Sequence, residues 1–189
     1  VLSVAGKKLK ADDENVINHF RMLDSGNVNR IIEEVVSDSS VEFPTTLRIS
    51  KQTNQTKDKV IDIVKELVNE NKIIVFNSSI KDNGESKDLS IINDNSYIVS
   101  FKFYNGIKKY IEDLLNKFHK DNPLSKGMKK EEIKSILFKR YQKAGDTVLE
   151  ALVNNLTYNK VVKKVEDLIA NYNFNVVIDD KKAKEINII

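Results

Sequence analysis

Cysteine and tryptophan are absent from the 189 residues, and histidine occurs only twice, as His19 and His119. Without a thiol there is no disulfide, no thiolate metal site and no cysteine nucleophile, and a zinc site would have to be completed by carboxylates. Glycine occurs 6 times and proline 2 times. No Gly-x-x-x-x-Gly-Lys-Ser/Thr is among them, so no phosphate-cradling loop of that kind is built. No apolar run is long enough to span a bilayer, no signal-like segment opens the chain, and residue 1 is Val rather than Met. Together these predict a cytoplasmic piece of a longer protein with no membrane partner, and the piece is expected to be monomeric. Charge of one sign is also missing: 31 Lys and Arg against 28 Asp and Glu leave a net +3, which argues against a strongly basic nucleic-acid tail. The length suits one large domain or two small ones.

What is present is helical patterning with abrupt stops. Phe103, Ile107, Tyr110, Ile111, Leu114, Leu115 and Phe118 recur at helical spacing, so a long amphipathic helix over 103–121 is predicted to run into Asn122-Pro123 and end there. Glu131 and Glu132 then occupy a first turn, where carboxylates suit the positive end of a helix, and Ile133, Ile136 and Leu137 make the buried stripe of a helix over 130–138. Leu124, following the proline, is expected to pack back between the two helices.

Upstream, Val1–Val4 is a short apolar stub. Asp12 or Asp13 can cap a helix carrying Val16, Ile17, Phe20 and Leu23, closed by Ser25-Gly26. Asn27 can cap the next, on which Val28, Ile31, Ile32, Val35 and Val36 follow the i, i+3, i+4, i+7, i+8 pattern. After Phe43-Pro44, Thr45 or Thr46 starts a short helix, and Thr56 starts a longer one bearing Val60, Ile61, Val64, Leu67 and Val68. This pair reads as a helix-turn-helix. Strands are predicted at 72–76 and 97–101 around a polar loop. Three helices followed by a hairpin is the winged-helix order. The element order then restarts, with more helix expected between Thr147 and Ala170, broken at Ala144-Gly145-Asp146 or within 154–158, and a closing hairpin at 175–178 with 185–189. The fold class is thus mainly α with small β-hairpins, as tandem winged helices.

The segment 118–133 resembles one found in bacterial selenocysteine-specific elongation factors, the SelB family, whose pattern is roughly Tyr/Phe-His-x-x-x-Pro-Leu-x-x-Gly-x-x-x-Glu-Glu-Leu. Phe118, His119, Pro123, Leu124, Gly127, Glu131 and Glu132 match it, with Ile133 in place of Leu. A second, weaker match is Val1-Leu2, a basic stretch, then Asp13-Glu14-x-Val16-Ile17, similar to the family's passage from its last β-barrel into its first winged helix. The resemblance implies that 1–25 is the end of a barrel with a connecting helix, 26–102 a first winged helix and 103–189 a second. It implies a non-catalytic region linking a body that binds GTP, Mg and selenocysteyl-tRNA to a distal module that binds the selenocysteine-insertion hairpin of mRNA on the ribosome. The fragment itself is expected to hold no cofactor. A DNA-binding tandem winged-helix regulator and a purely protein-interaction module are the alternatives.

The adjacent carboxylates Asp12-Asp13, Glu33-Glu34, Glu131-Glu132 and Asp179-Asp180 point in different directions on helices and turns, whereas acid–base catalysis needs two carboxylates converging on one cleft. His119 reads as a packing or hydrogen-bonding residue at a helix end. Lys126, Lys129, Lys130, Lys134, Lys139, Arg140 and Lys143 cluster against only Glu131 and Glu132 in the same stretch. They are the candidate contacts to RNA or ribosome, since lysine neutralisation of phosphate dominates sequence-independent binding. The helix over 56–70 mixes Lys57, Lys59 and Lys65 with Asp58, Asp62, Glu66 and Glu70, a poor composition for reading DNA.

Overall fold

The computed structural model describes residues 27–77 and 89–176. The helix expected around Val16–Leu23 and the strand at 185–189 lie outside them. Two winged helices follow one another. In the first, α1 (Val28–Ser39), α2 (Thr46–Thr53) and α3 (Lys57–Asn69) precede the antiparallel pair β1 (Ile73–Phe76) and β2 (Tyr97–Ser100), and a single bridge from Thr45 to Tyr97 adds a third strand position. In the second, α4 (Phe101–Asp121), β3 (Met128–Lys129), α5 (Lys130–Arg140) and α6 (Asp146–Tyr158) precede β4 (Val162–Val165) and β5 (Leu168–Asn171), in sheet order β3-β5-β4. The duplication of element order is therefore real, and the fold is mainly helical with small antiparallel strand pairs.

The caps sit where the short polar residues are. The Asn27 side chain accepts from the Arg30 N–H, and the Thr45 hydroxyl accepts from the Arg48 N–H, each at 3.3 Å. Ile32, Val36, Ile49, Val60, Val64, Leu67, Ile73 and Ile98 then close the first core. Ile107, Ile111, Leu115, Ile133, Leu137, Leu149, Leu152, Leu156 and Ile169 close the second, which also takes in Phe43, Phe76 and Val99 from the first unit.

No linker separates the units. β2 ends at Ser100 and α4 begins at Phe101, two residues earlier than the spacing predicts, with the Ser100 hydroxyl accepting from the Phe103 N–H at 3.3 Å. The Ser100 N–H donates to the buried Ser40 hydroxyl at 2.9 Å, and the Phe101 N–H to the Lys72 carbonyl at 2.8 Å. Phe43, Phe103 and Tyr141 meet edge to face, with centroids 5.6–5.9 Å apart in each pair. Glu42 bridges the same seam by pairing with Arg48 of its own unit and Lys143 of the next. Those two cations, Lys143 foremost, hold its carboxyl below the usual carboxylate range.

The structure corrects several expectations. Leu124 is 59% exposed rather than packed between helices. The turn closes on itself through the Ser125 N–H to the Asn122 carbonyl and the Asn122 side chain to the Phe118 carbonyl, and Met128 rather than Leu124 enters the core. The second hairpin is at 162–171, inside the stretch expected to stay helical to Ala170; residues 175 and 176 are not in a strand. Its turn is Glu166-Asp167, with Glu166 at φ 58°, and carries none of the Asn-Gly or Asp-Gly chemistry that marks such turns, whereas Asp179-Asp180-Lys181-Lys182 resembles a turn by composition. The helix break falls at 141–145. α6 opens at Asp146, and Thr157 lies within that helix, its hydroxyl donating to the Val153 carbonyl at 2.9 Å.

Gly127, a residue of the SelB-like motif, is fixed by close approach. A Cβ there would stand 2.6 Å from the Ile169 carbonyl oxygen and 2.9 Å from its carbon, both backbone atoms of β5. Gly127→Ala is expected to destabilise the chain by about 1–3 kcal/mol through this overpacking. Chemical denaturation checks it, against Gly145→Ala, where nothing lies within 4 Å of the added carbon.

Candidate nucleic-acid interface

In the first unit most of the third helix's charge is matched by its own neighbours, Lys59 being its exposed cation without an acidic partner among the described residues. Lys57 pairs with Asp94, Lys65 lies 3.3 Å from Asp62, and Glu66 accepts from the Asn29 amide at 2.7 Å. Lys72 sits between Glu33 at 3.1 Å and Glu70 at 2.9 Å. A nucleic-acid backbone approaching α3 meets no uncompensated stripe of cations.

In the second unit the basic cluster at 126–143 does not form one patch. Lys134 is 7% exposed, with its ammonium 2.6 Å from Asp146, 3.5 Å from Glu131 and 3.6 Å from Glu150. The Asp146 hydrogen bond, foremost, pushes its pKa above the usual lysine value. Lys130 pairs with Glu150, Lys143 with Glu42, and Lys126 lies 3.7 Å from Glu166. The Arg140 guanidinium sits 4.3 Å over the Tyr110 ring. Lys129 and Lys139 alone of the cluster are exposed cations with no acidic or aromatic partner among the described residues. The linear sequence shows only Glu131 and Glu132 nearby, whereas folding delivers Glu42, Asp146, Glu150 and Glu166 to the same lysines. Lys134 in particular is no surface contact, because its ammonium is enclosed by carboxylates.

The helix in the recognition position, α6, exposes no cation. Its first two turns show Asp146, Thr147 and Glu150, and its last show Asn154, Thr157 and Tyr158. Between that latter end and the wing opens a cleft of about 680 Å³, bordered also by Lys160, Lys163, Lys164 and Tyr172. These lysines escaped the sequence reading because 159–170 reads as helix; the signal that could have found them is Val161-Val162 followed by Lys163-Lys164, an apolar entry into a half-exposed strand.

His119 ties α4 to this wing. It is 5% exposed, stacks on Phe174 with centroids 3.5 Å apart, and its Nε2 accepts from the Asn171 N–H at 3.3 Å. Accepting there requires a neutral ring. Burial first, then the charge of Lys163, lowers its pKa below the ordinary histidine value. The unfolded chain therefore binds the extra proton first, so this contribution to stability is intact above about pH 6.5 and is lost as pH falls through the lower folded value. His119→Leu is expected to flatten that acid limb of the stability profile, as read by urea midpoints across the range. The ring is thus a packing and hydrogen-bonding residue, as the sequence suggests, although burial disfavours the partial charge that a helix end would otherwise favour.

Glu33 and Glu131 spend their charge on lysines, and Asp12-Asp13 and Asp179-Asp180 lie outside the described residues. Among the described residues no group of three or more His, Asp or Glu is placed to hold a metal, and no helix is long and apolar enough to cross a membrane. Residues 113–170, from the second half of α4 through most of β5, match the family model described as "Elongation factor SelB, winged helix". The motif at 118–133 lies inside that match. A search of curated proteins finds no match to the chain.

Proposed function

We propose that this chain is the proximal, non-catalytic winged-helix region of a selenocysteine-specific elongation factor, acting as a strut between the body that carries GTP and selenocysteyl-tRNA and a distal module that grips the mRNA hairpin. The family match over 113–170 supports the kind of protein. The seam between the units carries the strut reading: a strand that becomes a helix without a linker, a buried serine tying the two, and an aromatic trio across the joint. Flexible linkers spread distances between modules, whereas a shared core fixes one. The neutralised α3 also suits a positioning role for the first unit, where direct reading of nucleic acid would need free cations. Lys129 and Lys139 are the members of the basic cluster placed to add weak phosphate attraction.

Absence of cysteine makes the test direct, since Lys51→Cys and Lys139→Cys introduce one label in each unit. Double electron–electron resonance is expected to give one narrow distance distribution, unchanged by RNA. In the whole factor, loosening the seam with Phe43→Ala is expected to lower UGA decoding while hairpin affinity stays unchanged. A broad distribution in the unaltered chain overturns the strut, and unchanged decoding overturns the role.

A further inference from the structure

The cleft between the end of α6 and the second wing combines features that nothing in the family match assigns, and its interpretation rests on the proposed reading of the chain as part of a translation factor. Three lysines border it. Lys160 and Lys164 have no acidic partner among the described residues, and Lys163 donates to the Asn175 amide oxygen at 3.0 Å, a neutral partner that leaves its charge in place. The one acid at the rim, Glu166, lies 3.7 Å from Lys126. Tyr172 is 40% exposed at the border, and Tyr158 is half-buried beside it.

The charged groups beside the two ends of α6 differ. A helix-turn-helix docked on a duplex uses the N-terminal residues of its recognition helix at base edges, and here those residues are Asp146, Thr147 and Glu150. Asp146 and Glu150 are already paired with Lys134 and Lys130, so that end offers a phosphate-lined groove no free cation. The cationic cleft is at the other end, beside the wing. Cations that follow the backbone together with aromatic rings that stack bases are the recurrent means of holding an unpaired strand.

We infer that the α6–wing cleft binds a short stretch of unpaired RNA, with its phosphates on Lys160, Lys163 and Lys164 and a base stacked on Tyr172. Asn154 and Thr157 line the floor with groups that can hydrogen-bond sugar or base without fixing a sequence. The site is separate from the hairpin-binding module of the proposed whole factor.

Fluorescence anisotropy with the 189-residue chain, using labelled oligouridine and a blunt RNA hairpin of equal length, tests this. Oligouridine is expected to bind more tightly than the hairpin. Lys160→Gln with Lys164→Gln is expected to reduce the slope of log affinity against log salt by about 1.4, at roughly 0.7 per phosphate contact on a single strand, whereas Lys129→Gln with Lys139→Gln changes it by less than half as much. Tyr172→Ala is expected to weaken binding at least about fivefold, and Tyr172→Phe to restore it. Melting temperatures of all variants exclude unfolding as the cause. Preference for the hairpin, an equal loss of slope from both lysine pairs, or an unaffected Tyr172→Ala each overturn the assignment. UGA decoding by the whole factor is a separate readout, so a cleft that binds RNA in a protein whose seam variants decode normally would leave this inference standing and remove only the strut role.

Discussion

Phe43→Ala is expected to cost about 3–5 kcal/mol of unfolding free energy, the range for emptying a buried phenylalanine site. The ring is 3% exposed and touches residues of both units: Phe76 at 6.4 Å, Phe103 at 5.6 Å and Tyr141 at 5.9 Å between centroids. It does so from a left-handed backbone, φ 49°, at the end of the 3-10 turn Ser40–Glu42. A bulky residue persists there only where packing compensates the strain. Alanine would keep the strained backbone and lose the packing. Since a domain of this size is stable by about 5–15 kcal/mol in total, the loss removes a large part of the margin. Urea unfolding followed by circular dichroism is expected to show one transition in the unaltered chain and an earlier, broader one in the variant. Phe101→Ala, at a residue 40% exposed, is the comparison and should shift little. Two separate transitions in the unaltered chain would show that the units do not share a core and would sink this expectation.

The same seam shows why part of the fold was legible in the sequence and part was not. Helical periodicity is a local property, so the stripes Val28–Val36, Val60–Val68 and Ile107–Leu115 locate their helices, and Asn27 and Thr45 mark starts by short-range capping chemistry. The aromatic trio is non-local: Phe43, Phe103 and Tyr141 are spread over about a hundred residues, and no periodicity links them. β3 is two residues long and exists only because β5 lies beside it, so nothing in Met128-Lys129 announces a strand. The second hairpin was hidden for another reason. Its flanks, Val161-Val162 and Ile169-Ala170, are too short to declare a period of two, and its turn lacks glycine. The candidate interface suffered most, because charge clustering in sequence measures proximity along the chain alone. Asp146 and Glu150 lie a turn apart on α6 and reach back to α5, turning apparent contact lysines into structural ones.

Lys134→Glu makes that distinction measurable. If Lys134 were a solvated phosphate contact, reversing its charge would weaken RNA binding and leave stability alone. With its side chain 8% exposed among Glu131, Asp146 and Glu150, reversal instead puts a fourth carboxylate into a partly desolvated site and removes the cation that holds α5 to the start of α6. Breaking a fully buried pair costs about 3–5 kcal/mol, and exposure of Asp146 and Glu131 moves the expectation to the lower end, about 3 kcal/mol. Lys134→Met retains the packed stem without the charge and is expected to cost only about 1 kcal/mol. The pH dependence separates charge from packing. A carboxyl introduced beside three others has its folded pKa raised, so the folded state binds the additional proton and the variant regains stability as pH falls from about 7 toward about 4.5. Thermal melts across that range should show the gap between Lys134→Glu and Lys134→Met closing at the acid end. A gap that stays constant with pH would mean the loss is steric, and a Lys134→Glu variant as stable as the unaltered chain would return Lys134 to the surface and to the list of RNA contacts.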